Sequence, residues 1–379
     1  MVFQQLRKNV REEEALSVSE KMVRLVRDRT PDVENSHYTN MFLTEGWIGD
    51  SFSVGRKEEM EHLDSIVENW KLGFRGAVSI TGKRFSGKTL FTEMISQRHF
   101  QGNTIHLIPN EKLNFEGRTF ETTYNLKEVL NFITKYGLHS QAMILIDDLE
   151  LWQDKKTSLG ENVVNLLKTI DESAINLFFV VSMSNWLKTH LNQVFEIDKI
   201  FQGEINLDRM GFSEIQEAIL IRHSATHMEL INEDQEEVTG AEVGKIINRV
   251  CKNTEGNIGE ALLRWSSLIR HYNEEQVVVK TLSNYALPEF INTDIALVLK
   301  VIMMEKRTGD YQLRKLFGPA FKLKYKVLIQ RLLNLGILSR DVNVLEINPF
   351  LVNDIGRKLE EKMDFQFRNK KAYQSSLKL

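Results

Sequence analysis

A chain of 379 residues, 42% hydrophobic and 27% charged, has the composition of a globular protein with room for two or three domains. Its longest apolar runs, such as Leu177-Phe178-Phe179-Val180-Val181, fall well short of the roughly 18 residues a membrane span requires, the charge from Arg7 onward leaves no apolar signal-peptide core, and a lone Cys251 excludes an internal disulfide framework, so the expected compartment is the cytoplasm. The formal net charge of −3 is unevenly spread: Pro288 to Leu379 carries 17 Lys and Arg against 10 Asp and Glu, so a basic end stands on an acidic body, a balance suited to a polyanion or to a solvated surface.

Residues 1–45 read as an N-terminal helical extension, densely charged from Leu6 to Ser19. From Glu20 to Asp28, Met22, Val23, Leu25 and Val26 recur at helical spacing, an apolar stripe suited to docking on a protein partner or a second copy of the chain, and Pro31 ends it.

Residues 46–208 read as an α/β core. A short apolar strand, Ala77-Val78-Ser79-Ile80-Thr81, runs into Gly82-Lys83-Arg84-Phe85-Ser86-Gly87-Lys88-Thr89, which completes the pattern G-x-x-x-x-G-K-[ST], and a helix opens with Leu90, Phe91, Met94 and Ile95 on one face. Strand, Gly-rich turn and helix N-terminus together make a phosphate-binding loop. The glycines let successive N–H groups turn toward phosphate oxygens, and the helix start adds partial positive charge along the backbone from Gly82 to Leu90. Lys88 then reaches the β- and γ-phosphates, and the Thr89 hydroxyl takes Mg²⁺.

A second strand is expected at Thr104–Ile108, then a helix from Leu126 to Tyr136. Met143-Ile144-Leu145-Ile146-Asp147-Asp148 follows, four apolar residues ending in two carboxylates about 60 residues after the loop. This fits a strand in which Asp147 orients Mg²⁺ and Asp148 polarises an attacking water. A fourth strand, Leu177 to Ser182, ends in Met183-Ser184-Asn185-Trp186, where Asn185, or Ser184 or Ser182 by register, is placed to sense the γ-phosphate. Alternatively, Asn185 caps the helix Trp186 to Val194. Glu204 to Leu207 is the fifth strand of a parallel sheet flanked by helices. His223 and His227 lie four apart on a helix without a third ligand at metal spacing, which argues against zinc.

Beyond the loop and the acidic strand, three segments resemble the initiator-like branch of the AAA+ ATPases and the related STAND ATPases. Phe52-Ser53-Val54-Gly55-Arg56-Lys57-Glu58-Glu59-Met60 is similar to the box that precedes their phosphate loop, Gly211 to Ile219 to the start of their helical lid, and Glu255 to Leu262 to their sensor 2 helix. The resemblance covers about residues 50 to 350. It implies a P-loop parallel sheet with flanking helices, a lid over 209–287, ATP and Mg²⁺ as cofactors, and Val54 and Arg56 wrapping the adenine. Two departures stand out. No arginine occurs between Arg118 and Arg209, where a trans-acting finger is expected, and Lys188 or Lys199 lacks the planar guanidinium fork. Gly259 stands where the sensor 2 arginine would fall, with Arg264 further along, while Asn257 and Glu260 make a capping box for the same helix. Both departures favour a slow switch over a fast motor.

Residues 288–365 read as a winged helix. Helices are expected at Asp294–Lys306, Tyr311–Phe317 and Lys322–Leu335, then strands Ile337–Ser339 and Val344–Ile347 joined by Arg340-Asp341-Val342-Asn343, and a helix from Phe350 to Lys362. A frayed tail, 366–379, closes the chain. The third helix is of the kind that enters a DNA major groove, with Lys322, Lys324, Lys326 and Arg331 as candidate contacts and Arg340 on the wing. The same domain in STAND proteins packs as an internal latch. The chain thus reads as an ATP-binding, slowly hydrolysing, nucleotide-controlled switch, either associated with double-stranded DNA or acting as a signalling or scaffold ATPase.

Overall fold

The computed structural model describes residues 16–31, 36–43, 49–115, 117–137, 141–283 and 286–362. The expectations for Leu6 to residue 15 and for the tail 366–379 fall outside them. The chain folds as two compact units, one comprising Val33–Ser266 with His271–Val278, the other gathering the N-terminal helix, Ser267–Arg270 and the chain from Val279.

The first unit is built on a parallel sheet of β1 (Ala77–Thr81), β2 (Thr104–Leu107), β5 (Met143–Ile146), β6 (Phe178–Met183) and β7 (Gly203–Asn206), in the order β2-β5-β6-β1-β7. The expected strands lie within one residue of these limits, because each is a short apolar run covered on both faces, as parallel strands are. Alternate side chains feed two cores. Ile144, Ile146, Phe179 and Val181 pack with Leu130, Ile133, Leu166 and Ile170 of helices Leu126–Gly137 and Leu159–Ser173. Val78, Ile80, Phe178, Val180 and Ile205 pack with Leu63, Val67 and Trp70 of helix Lys57–Lys71 and with Phe91 and Ile95. A hairpin of β3 (Lys112–Phe115) and β4 (Arg118–Glu121) was not anticipated, since each strand is only four residues long, although Leu113 and Phe120 do pack on the first core.

Helices Phe212–Ala225, Gly240–Asn253 and Ile258–Leu268 follow the sheet, and strand Glu229–Ile231 pairs in parallel with Gln276–Val279. Tyr38, on the preceding helix Ser36–Leu43, is fully buried. Its hydroxyl accepts the Trp265 indole N–H at 2.9 Å and lies 3.2 Å from His223 Nδ1, which locks that helix to the helical region. Burial pushes the Tyr38 phenol up and the His223 imidazole down, favouring the uncharged form of each.

The second unit is a winged helix. Helices Thr293–Glu305, Asp310–Phe317 and Lys326–Asn334 pack with an antiparallel sheet in which Val344–Ile347 lies between Thr308–Gly309 and Leu338–Asp341, and helix Val352–Lys362 follows. The third helix differs from expectation at its start, where Phe321–Tyr325 forms a π-helical turn that points Phe321 and Tyr325 inward in line with Ile329 and Leu332. The wing is also tighter than expected. Asp341 pairs with Val344, leaving Val342 and Asn343 as the turn and Arg340 inside the strand.

Helix Val18–Arg29, opened by a Ser17–Glu20 capping box, belongs to this unit. Met22 and Leu25 are buried, Asp28 Oδ2 accepts the Ser283 hydroxyl at 2.6 Å, and Arg29 forms an ion pair with Asp354. Its apolar stripe is therefore used within the chain, with Val23 on the outer face. No helix among the described residues is long and apolar enough to cross a membrane.

Asn162 is a buried polar hub of the first unit. It accepts the Leu126 N–H at 2.9 Å and donates to the carbonyls of Tyr124 and Trp152, each at 2.7 Å, with no solvent exposure. Replacing Asn162 by Ala strands one buried donor and two acceptors. The expected loss is about 2–4 kcal/mol, seen in thermal melting as a Tm fall of roughly 5–12 °C.

Candidate functional site

The C-terminal ends of β5, β6, β1 and β7 meet at one edge of the sheet, the place where open α/β sheets hold ligands. After β1 the loop turns sharply, with Phe85 (φ 67°) and Gly87 (φ 88°) both left-handed. Gly87 is the N-cap of helix Lys88–Ile95 and brings no side-chain cap, so the first-turn N–H groups are left for an anion. A Cβ at Gly82 would collide with the Ser86 hydroxyl. Lys88 Nζ donates to the carbonyls of Gly82 at 3.1 Å and Lys83 at 3.3 Å, which holds the ammonium against the loop. Leu90 is half-buried on the helix beyond.

The Thr89 hydroxyl donates to Asp147 Oδ2 at 2.8 Å, so the two groups expected to share a cation are in contact. Asp147 Oδ1 accepts the Ser182 hydroxyl from β6 and the Asp148 N–H at 3.1 Å, and Ser182 Oγ also accepts the Asp148 N–H at 2.9 Å. Ser182 therefore orients the carboxylate rather than facing a phosphate. Asp148 adopts the left-handed region (φ 49°), a conformation Asp tolerates better than most side chains. Among the described residues no three His, Cys, Asp or Glu side chains gather to hold a metal alone. Two protein oxygens are what Mg²⁺ takes when phosphate supplies further ligands, so Thr89 and Asp147 fit that ion.

Ser184, not Asn185, caps the helix Asn185–Phe195, its hydroxyl accepting the Leu187 N–H at 3.2 Å. Asn185 is thus free of the capping role and turns its amide to the sheet edge. Its Nδ2 donates to Asp208 Oδ2 and its Oδ1 lies 3.4 Å from Asn206 Nδ2. Asp208 escapes notice in the sequence because it falls in a short segment after the fifth strand. Only the placement of β7 beside β1 brings it to the loop.

Glu150 also escapes a sequence reading. It follows the acidic pair in the short turn Leu149–Leu151 and is only 2% exposed. Oε1 accepts the Ser184 N–H, and Oε2 has no hydrogen-bond partner. Burial, then the charge of Asp148, push this carboxyl up, against the opposing pull of the Ser184 bond and Lys88.

The helical region is bonded directly to the phosphate loop. Asn257 Nδ2 donates to the Arg84 carbonyl at 3.0 Å, the Gly259 N–H to the Phe85 carbonyl at 2.9 Å, and Lys83 Nζ pairs with Glu255 at 3.5 Å. A Cβ at Gly259 would lie 2.6 Å from the Phe85 oxygen, so glycine occupies this position for want of space, and an arginine does not fit there. Asn257 Oδ1 meanwhile caps Glu260 N–H at 2.9 Å, and Arg264 is buried. Arg56, in a left-handed conformation (φ 64°), donates to the carbonyls of Ser86 at 3.2 Å, Leu207 at 2.7 Å and Arg209 at 3.1 Å. It stitches the loop to the exit of β7. Val54 is half-buried beside Gly55, whose missing Cβ makes room for Glu214 and Met210. Lys188 is held by Glu204 at 2.7 Å and Asp198 at 3.1 Å, and Lys199 by Glu196 at 2.6 Å, so both are engaged within the chain. Burial opposes the Lys188 charge, but the two carboxylates outweigh it and raise its pKa.

On the winged helix, Lys324 pairs with Asp294 at 2.7 Å and Arg340 with Asp310 at 3.0 Å. Lys322, Lys326 and Arg331 are exposed, and beside them Leu323 (84%) and Val327 (69%) stand open to solvent.

Strand, phosphate loop and helix, with a carboxylate strand one place removed across β6, define a P-loop nucleotide-binding fold joined to a helical lid and a C-terminal winged helix. No protein-family model and no curated protein matches the chain. Among solved structures, it is similar to the Aeropyrum pernix ORC2 protein in ADPNP–ADP complexes (TM-score 0.39, 14% identity, 86% of this chain and 98% of that one) and in its ADP form (0.42, 12%, 86% and 98%). It is also similar to a Walker-type ATPase of Pyrococcus abyssi (TM-score 0.40, 13% identity, 83% and 99%).

Glu150 gives a pH test. Its folded pKa is raised, so between the ordinary carboxylate value and the raised one the folded state binds more protons than the unfolded chain, and stability falls as pH rises through that window. Glu150→Gln keeps the oxygen that meets Ser184 and cannot ionise. The Tm of the variant relative to the parent is expected to climb as pH rises above the ordinary carboxylate value; a constant difference would refute a raised pKa.

Proposed function

We propose that this chain is an ATP-binding, slowly hydrolysing switch of AAA+/STAND type, in which Mg²⁺·ATP at the sheet edge governs the helical lid. The observation that carries the reading is the joined set at the loop: Lys88 held on the Gly82 and Lys83 carbonyls, and Thr89 in contact with Asp147. Lys88 and the loop backbone bind the β- and γ-phosphates, Thr89 and Asp147 hold Mg²⁺, Asp148 takes the proton of an attacking water, and Asn185 donates to the γ-phosphate. Mg²⁺ would neutralise charge on the phosphate oxygens. ATP rather than another nucleotide is favoured by the resemblance of the box around Val54 and Arg56. Slow turnover is favoured by the engagement of Lys188 and Lys199 in internal ion pairs and by the lack of room for an arginine at 259.

The three direct bonds from the lid to the loop support a switch. Any shift of the loop backbone on nucleotide binding moves the acceptors of Asn257 and Gly259, so the lid responds without a side-chain sensor at 259. Lys88→Ala should lose ATP binding by at least about tenfold in calorimetric titration, whereas Asp148→Asn should retain binding and lose turnover by about 100-fold or more. Unchanged turnover in Asp148→Asn would remove Asp148 from the mechanism.

For the winged helix, double-stranded DNA is the proposed partner, supported by the exposed cations Lys322, Lys326 and Arg331. Charge reversal of all three should lower the slope of log affinity against log salt by about 2–3 in duplex titrations. Exposed Leu323 and Val327 favour a second reading, a signalling or scaffold ATPase whose winged helix meets protein. Absence of duplex binding at low salt would select it.

A further inference from the structure

The carboxylate of Asp208 has both oxygens spent on parts of the nucleotide site that come from different strands. Oδ1 accepts the backbone N–H of Lys83 in the phosphate loop at 2.7 Å, and Oδ2 accepts the Asn185 amide from the end of β6 at 2.5 Å. The sheet order makes this bridge available, since β1 lies between β6 and β7 and Asp208 stands two residues past the end of β7. Its own segment is fixed on both sides. The Leu207 carbonyl before it and the Arg209 carbonyl after it are both held by the Arg56 guanidinium, and the Asp208 N–H is taken by Asn206 Oδ1 at 2.9 Å.

We infer that Asp208 is a positioning residue for γ-phosphate recognition, setting the Asn185 amide as a donor in register with the phosphate loop. An amide offers two acceptor sites at one end and two donors at the other, and a half-turn about its last bond exchanges them. An ionised carboxylate only accepts, so Asp208 selects the nitrogen end, and Asn206 Nδ2 at the opposite end favours the oxygen there. Phosphate oxygens are likewise acceptors. Asp208 uses one of the two amide hydrogens and leaves the geometry in which the other serves a phosphate. Because the same carboxylate is anchored on the Lys83 N–H, the amide is registered to the loop itself and not only to its own helix. Arg56 acts one step further back, through the segment it clamps. Its place in the box before the loop is thereby tied to the far edge of the site.

The inference rests on the nucleotide reading, and its test separates the two. Asp208→Asn has a single acceptor oxygen for two donors, so either the Lys83 N–H loses its partner or the Asn185 amide turns over. Affinities for ADP and for a non-hydrolysable ATP analogue are measured by calorimetry, with Mg²⁺, on the full chain. The parent is expected to prefer the analogue. In Asp208→Asn that preference should shrink by roughly ten- to 100-fold, the effect of one hydrogen bond to a charged group, while ADP affinity stays within about twofold. Asp208→Ala provides a second variant with the same expected sign should the first fold poorly. In an Asn185→Ala background, Asp208→Asn should leave the ratio unchanged, because the residue acts through that amide. Equal weakening of both nucleotides, an unaltered ratio, or an undiminished effect without Asn185 would each overturn the assignment while nucleotide binding stands. A parent that binds neither nucleotide would overturn both.

Discussion

The position of β1 between β6 and β7 is the constraint on which the site depends. Parallel strands end at the same edge, and neighbouring strands bring those ends within hydrogen-bonding reach. The loop after β1 can then be met from one side by residues after β6 and from the other by residues after β7. β6 also lies against β5, so Ser182 reaches Asp147 while Asn185, three residues on, reaches Asp208. On the proposed reading, one strand thus serves the cation end and the γ-phosphate end of the same site. The apolar character of β1, β5 and β6 supports this arrangement, because strands buried on both faces leave their polar residues at the ends.

The loop is also the junction with the helical lid. Contacts made through backbone atoms, such as Gly259 N–H to the Phe85 carbonyl, do not depend on side-chain identity beyond the requirement for space. Arg56 performs the complementary task with a side chain, collecting three carbonyls around a buried guanidinium whose remaining partner is Glu59 at 2.7 Å. A planar group with several fixed donors suits convergent carbonyls better than a flexible ammonium would. The lid and the exit of β7 are therefore both referred to the loop.

The sheet, the loop, Asp147 and the winged-helix elements were legible in the sequence, because each is a short apolar run with its own periodicity or a motif at fixed spacing. The capping of helix Asn185–Phe195 was not, since Ser184 and Asn185 are both favoured caps and only the backbone decides between them. Glu150 and Asp208 were hidden for a different reason. Neither is marked by its neighbours; each gains its role from a strand far away in the chain. The missing arginine at 259 was visible as a departure, but its cause, the proximity of the Phe85 carbonyl, is a fact of packing. The ion pairs of Lys324 and Arg340 were not legible, because their carboxylate partners Asp294 and Asp310 lie on other elements of the unit.

Helix Val18–Arg29 is fastened to the unit formed by the end of the chain, and its bond between Asp28 and Ser283 spans 255 residues. During synthesis the helix therefore emerges long before Ser283 and Asp354, and the whole unit that carries the parallel sheet is made in between. That unit can complete its sheet from contiguous residues while the helix, amphipathic and too short to be stable alone, waits unfolded. The helix can therefore take its place only after the residues it docks on, Ser283 and Asp354 among them, have been made.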